Sequence, residues 1–265
     1  FPGGNIGDLA VNGTANDLAM CGARPKYLSC GFILEEGLEI AKLQQVVETM
    51  RTAAEANGVE LVTGDTKVVD RGKADALFIN TAGIGVIEHP VSPTRIEAGD
   101  AIVVSGDLGR HGVAILSVRE GLEFDSPIES DCAALWPQVE RMFAEGIDVH
   151  CLRDLTRGGL SSALNELAAA AGFGMQVEEN AIPVDAAVRG ACEVLGLDPL
   201  YVANEGRFVA FVPARDAEAA ARLLPGGAVV GAVTGEAAGR VWIQSRMGAR
   251  RLLDMLSGEQ LPRIC

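Results

Sequence analysis

Six residues of this chain, with two glycines beside one of them, have the types and settings to act on a phosphate or a thiol. Asp17 lies in the run Ala15-Asn16-Asp17-Leu18-Ala19, Asp65 follows an extended stretch through Gly64, and Asp154 stands just before a helix that opens on twin glycines. Magnesium takes such carboxylate oxygens, commonly one or two together with substrate phosphates. Gly158 and Gly159 expose backbone N–H groups at that helix start, a setting that suits an anion. Lys67, two residues after Asp65, points to the same side in an extended segment. Glu205, between Asn204 and Gly206, has the type of a positioned base. Each also has a plainer reading alone: cap or turn for the aspartates, solvent for Lys67, a turn carboxylate for Glu205. Three aspartates in comparable settings are what point to a site for metal and phosphate.

The sixth residue is Cys265, in the run Leu261-Pro262-Arg263-Ile264-Cys265. Pro262 fixes its own backbone angle and pushes Leu261 toward an extended shape, so a short stiffened arm is expected. A thiol acts as its thiolate; Arg263 favours ionisation and a neighbouring terminal carboxylate opposes it. Such a cysteine reads either as a tethered reagent or as an incidental residue of a frayed end.

The balance of the 265 residues excludes several classes. Apolar residues make up 48%, enough for a substantial core, and glycine is abundant at 32. That mixture suits an α/β or α+β enzyme with backbone-lined loops. A net charge of −14 with no long basic run argues against a nucleic-acid partner. No apolar run has the length of a membrane span. Cys21, Cys30, Cys132, Cys151, Cys192 and Cys265 are scattered without a C-x-x-C pair, so free thiols in a reducing cytoplasm are expected. His89, His111 and His150 stand too far apart in sequence to suggest zinc. The chain starts at Phe1 without methionine, and further residues are expected before it.

Elements that could hold these residues follow from periodicity. A helix runs from Ile6 to a stop at Gly22, with Gly13 read as a point of close backbone contact. A strand covers 27–34. A helix over about 39–57, with Leu43, Val46, Val47, Met50 and Ala54 at helical spacing, is capped by Gly58. A short strand at 59–62 runs straight into 63–67, read as a strand-like loop, and a longer strand covers 76–87. The proline-bearing stretch 89–99 is the expected linker. Beyond it come a buried strand at 101–105, a helix to about 120 and a helix over 131–145 that bends or restarts at Pro137. Then follow a helix over 160–171, a strand near Met175, a helix from Asp185, a strand at 207–212 and a helix from Asp216. Strands near Val229 and Val241 and a last helix from Arg250 complete the chain. Helices and strands mix without strict alternation, which favours an α+β fold in two domains over a doubly wound sheet. The expected division is 1–92, 93–258 and a tail at 259–265.

Standard nucleotide fingerprints are absent: Gly72-Lys73 lacks the upstream glycine, and Gly106, Gly109 and Gly112 are wrongly spaced. A set of motifs in fixed order takes their place. These are Phe-Pro-Gly-Gly-Asn-Ile-Gly (1–7), Asn-Asp-Leu-Ala-Met-Cys-Gly-Ala (16–23), Thr-Gly-Asp-Thr-Lys-Val-Val (63–69), Gly-Asp-Leu-Gly-Arg-His-Gly (106–112), Asp-Leu-Thr-Arg-Gly-Gly-Leu (154–160), Asn-Glu-Gly (204–206) and Pro-Arg-Ile-Cys (262–265). Together they resemble the HypE family of hydrogenase-maturation carbamoyl dehydratases, within the aminoimidazole ribonucleotide synthetase-like superfamily. The Asp-Leu-Thr-Arg-Gly-Gly run alone marks only the superfamily, and Pro-Arg-Ile-Cys separates this family from its relatives. Asn5 departs from the pattern, standing where relatives often carry aspartate.

The resemblance implies a homodimer whose amino-terminal sheets join in a barrel-like core, beside a larger carboxy-terminal α+β domain. It implies ATP between the two domains of each protomer. Asp17, Asp65 and Asp154 would hold Mg2+ and phosphates, with Gly158 and Gly159 at the nucleotide, Lys67 on the phosphates and Glu205 near the tail. It further implies a carbamoyltransferase, HypF, that loads Cys265, and an iron-scaffold complex of HypC and HypD that receives cyanide from the resulting thiocyanate. The competing readings are another synthase of the superfamily, for selenophosphate or aminoimidazole ribonucleotide, and a non-catalytic module whose tail docks on a partner. Neither synthetase needs a carboxy-terminal thiol.

Overall fold

The computed structural model describes residues 1–122 and 128–255; Cys265 and the expected tail at 259–265 lie outside the described residues. Helix α1 (Ile6–Met20) begins where the Asn5 side chain accepts from Gly7 N at 2.7 Å and Asp8 accepts from Asn5 N at 2.8 Å. This reciprocal cap satisfies amides that the first turn leaves unpaired. A Cβ on Gly7 would stand 2.4 Å from the Val46 carbonyl oxygen. The close approach expected at Gly13 therefore falls at Gly7, against α2 (Ile40–Asn57). Nothing lies within 4 Å of a Cβ built on Gly13, because that position opens onto a cleft.

Strands β1 (Ala23–Glu35), β2 (Glu60–Val69) and β3 (Leu77–Ile87) form a sheet in the order β2-β1-β3. β2 runs parallel to β1 after the α2 crossover, and β3 runs antiparallel. The parallel ladder continues from Ser29 opposite Thr63 to Glu35 opposite Val69, so 63–67 is strand and not loop. Period-2 alternation then divides the sheet. Leu28 and Cys30 face Val11, Val46, Met50, Ala53 and Ala54 of the two helices, with Phe32 packed against them. Tyr27, Ile33, Phe78 and Ile84, paired across β1 and β3, are exposed on the opposite face.

After a single 3-10 turn at Pro93–Arg95 comes a larger unit. Its strands are β4 (Asp100–Val104), β5 (Cys151–Asp154), β6 (Gly174–Glu178), β7 (Phe208–Pro213), β8 (Ala228–Thr234), β9 (Val241–Gln244) and β10 (Arg250–Leu252). They lie in the order β10-β9-β6-β8-β4-β7-β5, antiparallel except for the β6–β9 pair. Helices α3 (Arg110–Arg119), α4 (Trp136–Ala144), α5 (Gly159–Ala171), α6 (Ala186–Leu195) and α7 (Ala217–Leu223) surround the sheet. β4 and β7 are buried on both faces, which is why they read as unbroken apolar runs. Ile102, Val104, Val209 and Phe211 pack with Leu160, Leu164 and Leu167 of α5. Val103, Phe208, Ala210 and Val212 pack with α4, α7 and, from α1, Ala19 and Met20. That last contact seats the end of α1, and hence Asp17, against the larger unit.

Two expectations are corrected here. The helix expected over 131–145 begins only at Trp136, with Pro137 in its first turn, so 131–135 is free for other uses. The helix expected from Arg250 is the strand β10. A turn through Gly248, at φ +82°, carries the chain back so that Arg250 pairs with Gln244 and Leu252 with Trp242. Ser245 N donates to the Ala249 carbonyl at 2.7 Å within that turn, and the hairpin overrides the helical propensity of the segment.

Candidate active site

A cleft of about 490 Å³ lies between α1 and the β5–α5 edge of the larger unit. Three of the sequence-derived candidates line it: Asp17, Asp154 and Glu205. Asp17 comes from α1, where the preceding Asn16 is buried and fastens the helix across the cleft. Asn16 Nδ2 donates to the carbonyls of Ala133 at 3.0 Å and Glu205 at 3.3 Å, and its Oδ1 accepts from Leu135 N at 2.9 Å. Asp154 ends β5 and accepts from the Thr156 hydroxyl at 2.7 Å. The chain then turns through Gly158 at φ +71° and Gly159 at φ +58° into α5. A Cβ on Gly159 would lie 2.6 Å from the Leu200 carbonyl oxygen, so this left-handed, closely packed step requires glycine.

Glu205 sits in a turn fixed from both sides. Asn204, with no exposed surface, accepts from Gly109 N at 2.7 Å through Oδ1. Its Nδ2 donates to the carbonyls of Leu155 at 3.0 Å and Val202 at 3.1 Å. Asp131 accepts from Gly206 N at 3.1 Å, from His111 N at 3.1 Å and from Glu205 N at 3.5 Å. Arg207 follows on the cleft wall, its guanidinium bonded to the Asp107 carboxylate at 2.6 Å and to the Asp107 and Gly206 carbonyls. Burial by itself would raise Asp107, but Arg207 and Arg110 outweigh it and hold that carboxyl below its usual range.

The cleft crowds negative charge. Burial first, then the charges of Asp131, Asp154 and Asp17, push Glu205 from its ordinary 4.5 up to about 8. Burial and Asp154 likewise raise Asp17, against Arg153. Such crowding, with Asp154 and Glu205 buried and Asp17 at the exposed mouth, is a mark of functional sites. Among the described residues no group of three or more His, Cys, Asp or Glu is arranged to hold a metal ion. The pair Asp17 and Asp154 nonetheless fits magnesium. They are hard oxygen donors whose mutual repulsion a cation relieves, in a cleft wide enough for substrate oxygens to complete the shell. Arg157, also on the cleft, makes no hydrogen bond or ion pair among the described residues and is available to an anion.

Asp65 and Lys67 are elsewhere. On β2, Asp65 stands opposite Gly31 and Lys67 opposite Ile33, on the sheet face turned away from α1 and α2. They line a separate concavity with Phe78 and Asn80. Within one chain the sheet thus separates them from Asp17. Asn16, Asp131, Asn204, Arg157 and Arg207 also shape the site without standing out by residue type. Asn16 and Asn204 directly precede a candidate acid, which was a usable signal, whereas Asp131 had none, since its partners are distant in sequence.

The comparisons with known proteins agree with this architecture. Residues 1–87 match the family "AIR synthase related protein, N-terminal domain", and residues 97–244 match "AIR synthase related protein, C-terminal domain". The carbamoyl dehydratase HypE of Azotobacter vinelandii is 54% identical over 273 residues, spanning all of this chain and 80% of that relative. The chain belongs to the HypE carbamoyl dehydratase family. A crystal structure of the hydrogenase maturation protein HypE in complex with ATP superposes with a TM-score of 0.96 at 49% identity. It is matched over all of this chain and 83% of that one. HypE in the crystal structure of a HypE–HypF complex superposes at 0.93 with 41% identity, covering 97% of this chain and 86% of that one. Like those HypE structures, this member of the family is an α+β protein with two AIR synthase related domains.

Proposed function

We propose that the cleft binds ATP with Mg2+ and dehydrates a carbamoyl group carried on Cys265, converting a thiocarboxamide to a thiocyanate. The product is a cyanide donor for the iron centre of nickel–iron hydrogenase. The observation that carries this reading is the meeting of Asp17, Asp154 and Glu205 in one cleft beside Arg157 and the Gly158–Gly159 helix start. Family membership supports it.

Removing water from an amide requires a good leaving group, since oxide is a poor one. Transfer of the γ-phosphoryl group of ATP to the amide oxygen makes phosphate the leaving group. Net, thiocarboxamide and ATP give thiocyanate, ADP and phosphate. Catalysis then depends mainly on positioning and charge. Asp17 and Asp154 hold the magnesium ion, which when bound offsets charge on the phosphates. Arg157, on the cleft wall, orients phosphate oxygens, whereas the Gly159 N–H is already taken by the Thr156 carbonyl at 3.1 Å. Glu205, with its proton affinity raised into the working range, takes one proton from the amide nitrogen as the oxygen is phosphorylated, and the second leaves with the phosphate as the nitrile forms.

Asp65 and Lys67 belong to this reading through a second copy of the chain. The exposed apolar residues Tyr27, Ile33, Phe78 and Ile84 form a sheet face too greasy for water. A homodimer would bury that face in a barrel-like core. Asp65 and Lys67 stand on that face, on the edge strand β2, so a homodimer would set the partner's Asp65 and the partner's Lys67 at the rim of the core, facing the cleft, Asp65 as a further metal or phosphate ligand. The division 1–92 and 93–258 is part of the proposal; the expected tail at 259–265 lies outside the described residues. HypF loads the thiol and the HypC–HypD scaffold receives the cyanide. A reducing cytoplasm suits the free thiols of the described residues; none of their helices is long and apolar enough to cross a membrane.

The test is mass spectrometry of the Cys265 peptide after incubation with a carbamoyltransferase, carbamoyl phosphate and ATP. A carbamoyl adduct that loses one water only with ATP present is the expected result. ATP consumption with no mass change at Cys265 would sink the assignment.

A further inference from the structure

We propose that Asp131 is the positioning residue of the reaction, holding Glu205 in place through the backbone amides of the 204–206 turn. The proposal rests on the dehydratase reading of the cleft. Asp131 is 7% exposed and comes from the irregular stretch before α4, far in sequence from the turn it holds. Its Oδ2 accepts from Gly206 N at 3.1 Å, and its Oδ1 from Glu205 N at 3.5 Å and His111 N at 3.1 Å. These three partners are donors and favour the carboxylate, working with Arg207 against the burial that raises Asp131.

A carboxylate serving only as a cap for α3 would need the His111 amide and nothing more. Here one oxygen spans from that amide to the amide of Glu205, and the other takes the amide that follows. The turn is pressed onto this stretch so tightly that a Cβ on Gly206 would lie 1.8 Å from the Asp131 carbonyl oxygen. The glycine and the aspartate therefore act as a pair: one permits the approach and the other fixes it. Asn204 holds the preceding side of the turn to Leu155, so the base has no freedom left in its backbone.

The charge of Asp131 matters as well as its bonds. Glu205 is faced by Asp17 from α1, by Asp154 and Arg157 from the β5–α5 turn, and by Asp131 from behind. Of these charges only Asp131 is bonded to the turn itself and stands off the cleft lining. It is thus placed to act on the base without touching nucleotide. A misplacement of about 1 Å at a reacting group costs on the order of 100-fold in rate.

Two variants test this. Asp131→Asn keeps the shape and removes the charge and one acceptor; Gly206→Ala breaks the same contact from the turn's side. Both are assayed in the full chain, loaded with a carbamoyl group, for thiocyanate formation and for KM of ATP. The expected result is a fall in kcat of roughly 10- to 100-fold with KM for ATP within about twofold in both. Should neither fold, Asp131→Glu, which keeps the charge but moves it off the turn amides, decides by the same split of kcat against KM. Parental kcat in either folded variant, or equal losses of ATP affinity and turnover, would overturn the positioning role. If the unaltered chain forms carbamoyl adduct but no thiocyanate, the dehydratase reading fails first, and this proposal with it.

Discussion

The buried amide of Asn204 donates to the Leu155 carbonyl at 3.0 Å, and Asn204 N donates to that same oxygen at 3.0 Å. Two bonds from one residue to one carbonyl lock the Glu205 turn beside the strand end that carries Asp154. Leu155 N returns a bond to the Arg207 carbonyl at 2.9 Å, so the lock is closed on the far side of Glu205. The strand end that carries Asp154 and the turn that carries Glu205 are thereby set against each other through one shared carbonyl.

Asn204→Ala should be among the more costly substitutions in the chain. It leaves the Gly109 amide and the Val202 carbonyl without their side-chain partner in a dry interior. A loss of about 2–4 kcal/mol is expected. Chemical denaturation at neutral pH measures it; a loss under about 1 kcal/mol would mean that water replaces the amide.

Glu205→Gln should separate chemistry from binding. The size is kept and the base is lost, so thiocyanate formation should drop roughly 100-fold or more while ATP affinity holds. Unchanged conversion of pre-carbamoylated protein would remove Glu205 from the base role.

The same substitution carries a pH signature in stability, measured without metal. A carboxyl raised from 4.5 to about 8 on folding is favoured in its protonated form. Its contribution is fully present below pH 4.5 and is lost as pH climbs through 8. The Gln variant should therefore match the parent near pH 4.5 and exceed it at pH 9, by on the order of a few kcal/mol. Parallel melting curves for the two proteins across that range would show that Glu205 titrates normally.

Asp17→Asn and Asp154→Asn should each weaken ATP binding in magnesium buffer by about tenfold, with far less effect in chelator. Calorimetry in the two buffers is the measurement. Equal affinities with and without magnesium in the unaltered chain would dismiss the pair as metal ligands.

Lys67→Ala and Asp154→Asn should complement each other. If a second copy supplies Lys67, mixing the two impaired variants yields dimers with one intact cleft, and turnover at ATP levels limiting for each variant alone rises. No recovery after subunit exchange would place Lys67 outside the cleft or in the same chain's site.

Cys265→Ala should fold and bind ATP yet take up no carbamoyl group. Among the described cysteines, burial pushes the Cys132 and Cys151 thiols up to about 12 and Cys192 to about 11, which disfavours the reactive thiolate. Adduct found by mass on any other cysteine would refute the carrier assignment.

Local rules made much of this protein legible in its sequence. Asn5 and Asp8 cap α1 through bonds spanning three residues or fewer, and Gly58 ends α2 in a left-handed turn. Both-sided burial wrote β4 and β7 as apolar runs, Asp17 stood out by type, and Asp154 and Glu205 by type beside a helix start and a glycine. Where the information is long-range, sequence reading stopped. Arg250–Leu252 became strand because a hairpin partner was in reach, which no window of local propensity contains. Asp65 and Lys67 have the residue types of a phosphate site, yet strand alternation turns them to the sheet face away from Asp17, a consequence of register with β1. Asp131 gave no signal, because its role lies in three amides, 20, 74 and 75 residues away. The residue types of the site were thus fixed by sequence; which of them meet, and what holds them, was decided by packing of one unit against the other.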